Sequence, residues 1–460
     1  MPLYQRIVRD VLTPLALWRR GETAQLRFER EFERTQFLPP EEIRRLQLAR
    51  LRSLLSHASD NCPFYQRRFE QAGFAPGFVR NLEDLRALPP LEKQEIQEHG
   101  SDMVARNWPR SDLIRNQTGG STGTPVSFFL SGNRKCSRAA ATLRHNRWAG
   151  WEVGDKAAVI WGAPQDRPAD GWRSRFRNAL LREPMWLDAG CLTEERMSEF
   201  HQELHRFRPR VIQAYTRAVV MFARFLQARG LTAFRPNSIV TSAEILEEED
   251  RDLLEQTFRC PVFNRYGCRE VSVLASECSA HSGLHVMAEG LYLEIETPHG
   301  PAAPGEMGAV LVTDLLNGAM PLIRYRIGDM AAWADGACPC GRGLPRLERV
   351  AGRVTDFLVG ADGRLVSGVY LATYVVAQRP SLGQVQIRQH KAGALTYRIR
   401  PGRDFDPIAD GEYLRGASRR HLGEGAVCEW ETVDELPAEP SGKFLFSRST
   451  VAPRFLSAKA

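Results

Sequence analysis

Thr118-Gly119-Gly120-Ser121-Thr122-Gly123-Thr124-Pro125 is the stretch on which the reading of this chain turns. Its glycines let the backbone bend tightly and aim successive N–H groups at one point, which is how a loop binds an anion. The hydroxyls of Thr118, Ser121, Thr122 and Thr124 add further donors. That composition suits a polyphosphate cradle. It is not the P-loop of nucleoside triphosphatases, which needs Lys-Ser/Thr after the last glycine; here Thr124-Pro125 follows. A plain polar loop has the same composition, so the segments around it decide.

Downstream, short apolar stretches at 157–161, 211–215, 238–242 and 262–265 alternate with helical patterns at 217–228 and 247–258. Such alternation predicts α/β layering with a largely parallel sheet. Two further strands, 291–297 and 308–314, are joined by a Pro/Gly-rich turn. Upstream, residues 1–100 read as mostly helical, with breaks at Pro39-Pro40 and Pro89-Pro90. Residues 41–56 place Ile43, Leu46, Leu48, Leu51, Leu54 and Leu55 near helical period. The character changes close to Arg349. Strands flank Asp362-Gly363, a hairpin signal; then come a helix at 370–378, strands at 385–390 and 395–400, a helix at 413–421 and a strand at 428–432. A chain of 460 residues is too long for one ordinary core. We expect a large multi-layer α/β domain over 1–352, its first hundred residues helical, and a small α+β domain over 353–460.

The hydrophobic fraction of 43% and charged fraction of 25% are those of a soluble globular protein. No apolar run reaches the length of a membrane span, so no transmembrane segment is expected. Residues 1–21 hold Ile7, Val8, Val11, Leu12, Leu15, Leu17 and Trp18, interrupted by Arg6, Arg9, Asp10, Arg19 and Arg20. This is no signal-peptide core. It reads as a packed or surface helix, with a membrane-surface helix as the alternative. The net charge of +7 is spread along the chain, which predicts no nucleic-acid partner and is compatible with polyanionic ligands. Nine cysteines in so long a chain do not suggest a disulfide framework. A cytoplasmic protein with reduced thiols is expected, and a homodimer is compatible with this reading.

The segment 118–125 resembles the phosphate-binding signature of adenylate-forming enzymes, with Thr124 where that signature often has lysine. Other matches follow in the family's order. Pro63-Phe64-Tyr65, Phe69, Ala72-Gly73, Leu88-Pro89 and Lys93 are similar to the N-terminal region of phenylacetate–CoA ligases. Ser242-Ala243-Glu244 resembles their substrate loop, and Tyr266-Gly267-Cys268-Arg269-Glu270 the aromatic–Gly–x–Thr/Ser–Glu motif. Tyr325-Arg326-Ile327-Gly328-Asp329 resembles Tyr-Arg-Thr-Gly-Asp. Gly352-Arg353 with Asp356 resembles the hinge, and Pro440-Ser441-Gly442-Lys443 the late lysine motif.

The resemblance implies ATP-dependent activation of a carboxylic acid to an acyl-AMP, with pyrophosphate released. Thr118, Gly119, Gly120, Ser121, Thr122, Gly123 and Thr124 would hold the phosphates. Ser242, Ala243, Glu244 and Gly267 would line the nucleotide and acid site. Glu270 is implied to hold Mg²⁺, a hard cation that wants carboxylate oxygen. Tyr266 is implied to stack on adenine. Asp329 is implied to accept from both ribose hydroxyls, for which a carboxylate's paired oxygens are suited. Arg353 would sit near the ribose and α-phosphate. Lys443 is implied to stabilise the charge that develops when a carboxylate attacks the α-phosphate; a solvated surface lysine is the alternative. The resemblance further implies a mobile C-terminal domain and transfer of the acyl group to CoA. The hinge here has Thr355-Asp356 in place of Asp-Asp, and residues 360–367 resemble the capsule- and exopolysaccharide-associated branch. A sugar or carrier acceptor serving surface-polysaccharide assembly is therefore the alternative to CoA.

Cys338-Pro339-Cys340-Gly341 is a tight thiol pair, and residues 277–285 offer Cys278, His281 and His285. Four soft ligands from two loops would satisfy tetrahedral zinc. Some phenylacetate–CoA ligase relatives carry zinc with such an arrangement, which points to a structural Zn²⁺ on Cys278, His285, Cys338 and Cys340. His281 competes for the histidine place.

Overall fold

The computed structural model describes residues 3–117, 126–161, 184–189, 192–353, 356–368, 371–436 and 445–452. The chain forms two compact units. One comprises Met1–Glu294, Leu311–Ile327 and Trp333–Arg349; the other comprises Ile295–Val310, Gly328–Ala332 and Val350–Ala460.

The first unit begins with helices. Segments α1 (Leu3–Ile7) and α2 (Thr13–Arg19) are joined by the π-helical turn Val8–Leu12. Helices α3 (Ala24–Thr35), α4 (Pro40–Asn61), α5 (Pro63–Gln71) and α6 (Lys93–Met103) follow. The helical reading of this region holds, and the proline pair at 39–40 starts α4, whose first turn has no use for the missing N–H. Strands β1 (Ile114–Gln117) and β2 (Ser127–Leu130) pair antiparallel with Gln117 opposite Ser127, so both ends of the glycine-rich stretch are held together. Helix α7 (Gly132–Trp148) follows, capped by the Ser131 side chain on Arg134 N.

The large sheet starts with β3 (Ala157–Trp161), β4 (Met185–Asp188), β5 (Val211–Tyr215), β6 (Ser238–Ser242) and β7 (Val262–Cys268). Helices α8 (Glu194–Phe207), α9 (Thr216–Ala228) and α10 (Glu248–Phe258) form the crossovers. Helix α9 buries Val219, Phe222, Ala223 and Leu226, one stripe at helical spacing. It packs with Ile160, Ile212, Ile239, Leu254 and Phe258 in a single apolar core. After β7 come β8 (Ser272–Glu277), β9 (Leu284–Val286), β10 (Leu291–Thr297), β11 (Gly300–Pro301), β12 (Met307–Asp314), β13 (Tyr325–Trp333) and β14 (Arg346–Arg353). The sheet order is β11-β10-β12-β13-β14-β9-β8-β7-β6-β5-β3-β4. It is parallel from β4 to β7 and antiparallel from β7 through β8 and β9 to β14. The largely parallel sheet expected from sequence is thus only one side of a mixed sheet. The reason is connection length: β7, β8 and β9 are joined by short turns, and without a crossover helix successive strands can only pair antiparallel.

In the second unit β15 (Phe357–Val359) and β16 (Leu365–Ser367) form the hairpin around Asp362-Gly363, with Gly363 at φ +81°. Strands β17 (Gln384–Lys391), β18 (Ala394–Arg400), β19 (Val427–Thr432) and β20 (Ser447–Ser449) make a sheet in the order β19-β18-β17-β20. Helix α11 (Pro407–Leu422) starts on the Asp406 carboxylate, which accepts from Ile408 N and Ala409 N. The core joins Leu358, Ile387, Leu395, Tyr397, Ile399, Leu414 and Leu422. A second apolar cluster in this unit unites Met330 with Phe357, Val359 and Ala452. The fold is mixed α/β, with a smaller α+β portion at the C-terminal end of the chain.

Candidate active site and metal centre

In an open parallel sheet, ligands bind beyond the carboxyl ends of the strands. Register brings those ends into line: Tyr215 lies opposite Ser242, and Ser242 opposite Arg265. The segments that follow are directly bonded to one another. Thr216 Oγ1 donates to Glu244 O at 3.1 Å, and Arg217 N donates to Glu244 Oε2 at 2.9 Å. Glu244 therefore caps the N-terminus of α9, where an anion is favoured. Ala243 between them sits at φ +71°, a left-handed conformation that a side chain adopts at a cost. Ser242 Oγ donates to Arg265 O at 3.1 Å, tying the loop to β7. Trp161 and Tyr215 pack with ring centroids 4.3 Å apart at the same edge, and Tyr266 is buried near the end of β7.

Beyond Tyr266 the chain turns through Glu270 into β8. A β-carbon on Gly267 would lie 2.7 Å from Ser272 O, so this tight hairpin requires glycine. Helix α7 grips the turn on both flanks of Glu270. Arg138 Nη2 donates to Arg269 O at 2.7 Å, and Arg134 Nη2 to Val271 O at 3.0 Å. Arg134 is in turn held by Asp314 at 2.7 Å, both side chains buried. Burial, and then the neighbouring Arg134, lowers Arg138 to about 10. The glutamate itself is half-buried. Its Oε1 accepts from Tyr325 Oη at 3.0 Å, while Oε2 takes no bond from the described residues. A carboxylate with one oxygen steadied and one free is a suitable monodentate ligand for Mg²⁺.

Tyr325 is the first residue of the later Tyr-Arg-x-Gly-Asp segment, so two separated motifs meet at one hydrogen bond. A third joins them: Leu91 pairs with Tyr325 through Leu91 N→Arg324 O at 2.9 Å and Arg326 N→Leu91 O at 3.0 Å. Arg326 also binds Glu92 at 2.8 Å. The Pro-Phe-Tyr segment contributes from behind, because buried Tyr65 donates to Pro321 O at 2.8 Å and accepts from Ile323 N at 3.2 Å. Sequence reasoning found Tyr325 in its motif without giving it a role, and it passed over Arg134 and Arg138. The signal for the latter pair was their four-residue spacing on one helix face.

Asp329 is half-buried on β13, directly after Gly328 at φ +87°. It belongs to the second unit. Arg353 ends β14, and its side chain lies outside the described residues, as do Thr118, Gly119, Gly120, Ser121, Thr122, Gly123 and Thr124 and the late Lys443.

The thiol–imidazole cluster is fully described. One ligand atom each from Cys278, His285, Cys338 and Cys340 lies within 4.8 Å of every other. Cys278 Sγ is 3.7 Å from Cys338 Sγ, and Cys340 Sγ is 3.3 Å from His285 Nε2. Two thiolates about 2.3 Å from a tetrahedral zinc are about 3.8 Å apart, so the spacing fits. The histidine is oriented as a ligand should be. Its Nδ1 faces Leu344 O at 3.4 Å, which places the proton there and leaves Nε2 toward the thiols. Burial lowers His285 to about 4 and so keeps it neutral, while burial raises Cys278 to about 12. A cation is what would let that buried thiol ionise. His281 lies apart, 3.3 Å from Glu277 and packed on Phe263. Arg346 clasps the two ligand loops by donating to Ser282 O, Asp335 O and Gly336 O. No cysteine among the described residues is in a disulfide.

No family model matches the chain. It is 23% identical over 415 residues to Protein CapK of Staphylococcus aureus, covering 88% of this chain and 89% of that one. It is 28% identical over 336 residues to a phenylacetate-coenzyme A ligase of Thermus thermophilus, covering 70% and 73% respectively. Among solved structures, a 2-hydroxyisobutyryl-CoA ligase in the postadenylation state superimposes with a TM-score of 0.71 at 21% identity, over 93% of this chain and 94% of that one, which shows a common fold. With the motifs in family order, sequence similarity along most of its length and that shared fold, the chain is similar to the phenylacetate-coenzyme A ligases and to CapK, and it has the fold of an adenylate-forming CoA ligase.

Proposed function

We propose that this enzyme activates a carboxylic acid with ATP, releases pyrophosphate, and passes the acyl group from the acyl-AMP to the thiol of CoA. The observation that carries the reading is the Tyr325–Glu270 hydrogen bond, which unites two motifs of the family 55 residues apart at the carboxyl edge of the parallel strands. The matched phenylacetate-coenzyme A ligases support the choice of CoA as acceptor.

In this reading an oxygen of the bound carboxylate attacks the α-phosphorus and the bond to pyrophosphate breaks. Mg²⁺ would neutralise charge on the polyphosphate as the leaving group departs. Glu270 would hold that cation, its carboxylate kept in orientation by Tyr325. The segment Thr118–Thr124 cradles the β- and γ-phosphates, and Lys443 offsets the charge growing at the α-phosphate. Asp329 takes the ribose hydroxyls, Tyr266 stacks against adenine, and Arg353 lies beside the ribose. Ser242–Glu244 and residues 214–216 shape the acid pocket. In the second step the CoA sulfur attacks the acyl carbon and AMP leaves. The domain from residue 353 onward is the mobile part that carries Lys443 in and out. Cys278, His285, Cys338 and Cys340 would hold a zinc with a structural role, because a closed four-ligand shell leaves no position for substrate. We assign the reaction to the cytoplasm, where ATP and CoA are available.

The test is acid-dependent exchange of pyrophosphate into ATP across a panel of carboxylic acids, followed by CoA consumption with the acids that respond. Exchange is expected with at least one acid and is expected to vanish in Glu270→Ala. Exchange with none would overturn the reading. Acyl-AMP formation with CoA left unused would keep adenylation and move the acceptor to a sugar or carrier.

A further inference from the structure

Several of the large apolar side chains exposed in this protein fall in one helical stretch: Leu3, Ile7, Val11, Leu15 and Trp18, from 41% exposed at Ile7 to 76% at Leu3. Their spacing is four, four, four and three residues. On a plain α-helix each four-residue step drifts sideways by about 40°. The π-helical turn Val8–Leu12 is wider and takes up that drift, so the side chains form one stripe along about 22 Å of helix. The wide turn has a local cause. Pro14 has no N–H to offer the carbonyl of Asp10, and its ring crowds that carbonyl.

The stripe is held outward by packing on the other side. Gln5, Val8 and Leu17 are buried, and the Gln5 amide donates to Asp155. Gly154 passes so near that a β-carbon there would meet the Gln5 backbone at 3.2 Å and Val8 at 3.3 Å. The exposed face therefore belongs to a docked helix. Exposed Arg6, Arg19 and Arg20 accompany it, and none forms a salt bridge among the described residues. The acidic Asp10 is taken up by Arg9 at 2.6 Å.

We propose that this face lies on an anionic lipid surface, with the apolar stripe entering the boundary between headgroups and acyl chains and the arginines meeting the headgroup phosphates. Charge selects this occupant. A second copy seated on the same patch about a two-fold axis would bring like-charged arginines together. The stretch does not cross the bilayer, since no described helix is long and apolar enough to do so. The proposal is independent of the substrate and of the acyl acceptor.

Flotation of the full-length protein with vesicles of phosphatidylcholine containing one-third phosphatidylglycerol tests it. The protein is expected to float with these vesicles, to stay behind with pure phosphatidylcholine, and to bind less as salt is raised. The pair Ile7→Glu/Leu15→Glu and, separately, Arg6→Ser/Arg19→Ser/Arg20→Ser should each lower the bound fraction about tenfold or more. All these side chains are exposed, so the melting temperature should stay level, and either variant set decides if the other folds poorly. No flotation of the wild type, or equal flotation of the variants, overturns the proposal. So does a solution dimer that Ile7→Glu/Leu15→Glu dissociates, because the stripe would then be a subunit interface.

Discussion

The role proposed for Glu270 rests on what surrounds it. The turn carbonyls on either side are gripped by Arg138 and Arg134, and one carboxylate oxygen is steadied by Tyr325. A hydrogen bond to a charged group contributes about 1.5–3 kcal/mol. Tyr325→Phe should therefore lower kcat/KM for Mg·ATP by about 10- to 100-fold, with a raised Mg²⁺ requirement and little change in melting temperature; steady-state kinetics at varied Mg²⁺ checks this. His145 makes a different residue-scale prediction. It is fully buried, stacks on Trp148 at 4.4 Å, and neither ring nitrogen has a hydrogen-bond partner among the described residues. Burial first, then Arg144, Arg265, His285 and Arg342, holds it well below the usual histidine range. Below about pH 6.5 the unfolded chain takes up a proton here that the folded chain refuses, so stability falls as pH drops through that value. His145→Phe should flatten the loss of melting temperature between about pH 7 and pH 5.5 relative to wild type; an equal slope in both proteins would exclude this source of acid lability.

At the scale of elements, short antiparallel hairpins do the positioning. The β7–β8 turn needs Gly267 because its neighbour's carbonyl occupies the space of a side chain. Gly267→Ala should part the hairpin, displace Glu270, and cut adenylation at least about tenfold while costing about 1–3 kcal/mol of stability; chemical denaturation alongside pyrophosphate exchange separates the two effects. The cysteine-bearing loops depend on β8, β9 and β14 in the same way, since His285 sits opposite both Ser276 and Arg346. We expect one zinc per chain by elemental analysis. Chelation, or Cys278→Ser, should lower the melting temperature and speed proteolysis of the loops at 278–285 and 335–342, and Mg²⁺ should not restore either. A purified protein with no zinc would remove the metal and leave the cluster as reduced thiols.

For the molecule as a whole, the proposed pair of half-reactions gives a prediction that neither a residue nor an element can supply. If Lys443 serves only adenylation, Lys443→Ala should depress acyl-AMP formation by about a hundredfold or more while ATP binding persists. Thioester formation from acyl-AMP supplied directly should survive. Parallel loss of both steps, measured by rapid quench with supplied acyl-AMP, would mean that the lysine holds the fold or the nucleotide generally.

Sequence by itself determined the class of fold, the order of motifs and most strands and helices. Each of these is written in a short window: the 3.6-residue stripe of Val219, Phe222, Ala223 and Leu226, the Asp362-Gly363 turn, the spacing in Cys338-Pro339-Cys340. Sequence also chose Cys278, His285, Cys338 and Cys340, the four side chains that the fold brings together, but kept His281 as a competitor for the histidine place. Only the tertiary structure separated them, because the choice depends on β9 pairing between β8 and β14, which turns His285 inward while His281 meets Glu277. The same holds for Tyr325 on Glu270, for Glu244 as the cap of a helix, and for the outward stripe of Leu3, Ile7, Val11, Leu15 and Trp18. Such contacts join residues far apart in the chain, or depend on which face a neighbour covers. Register and packing settle them, and no local pattern of residue types encodes either.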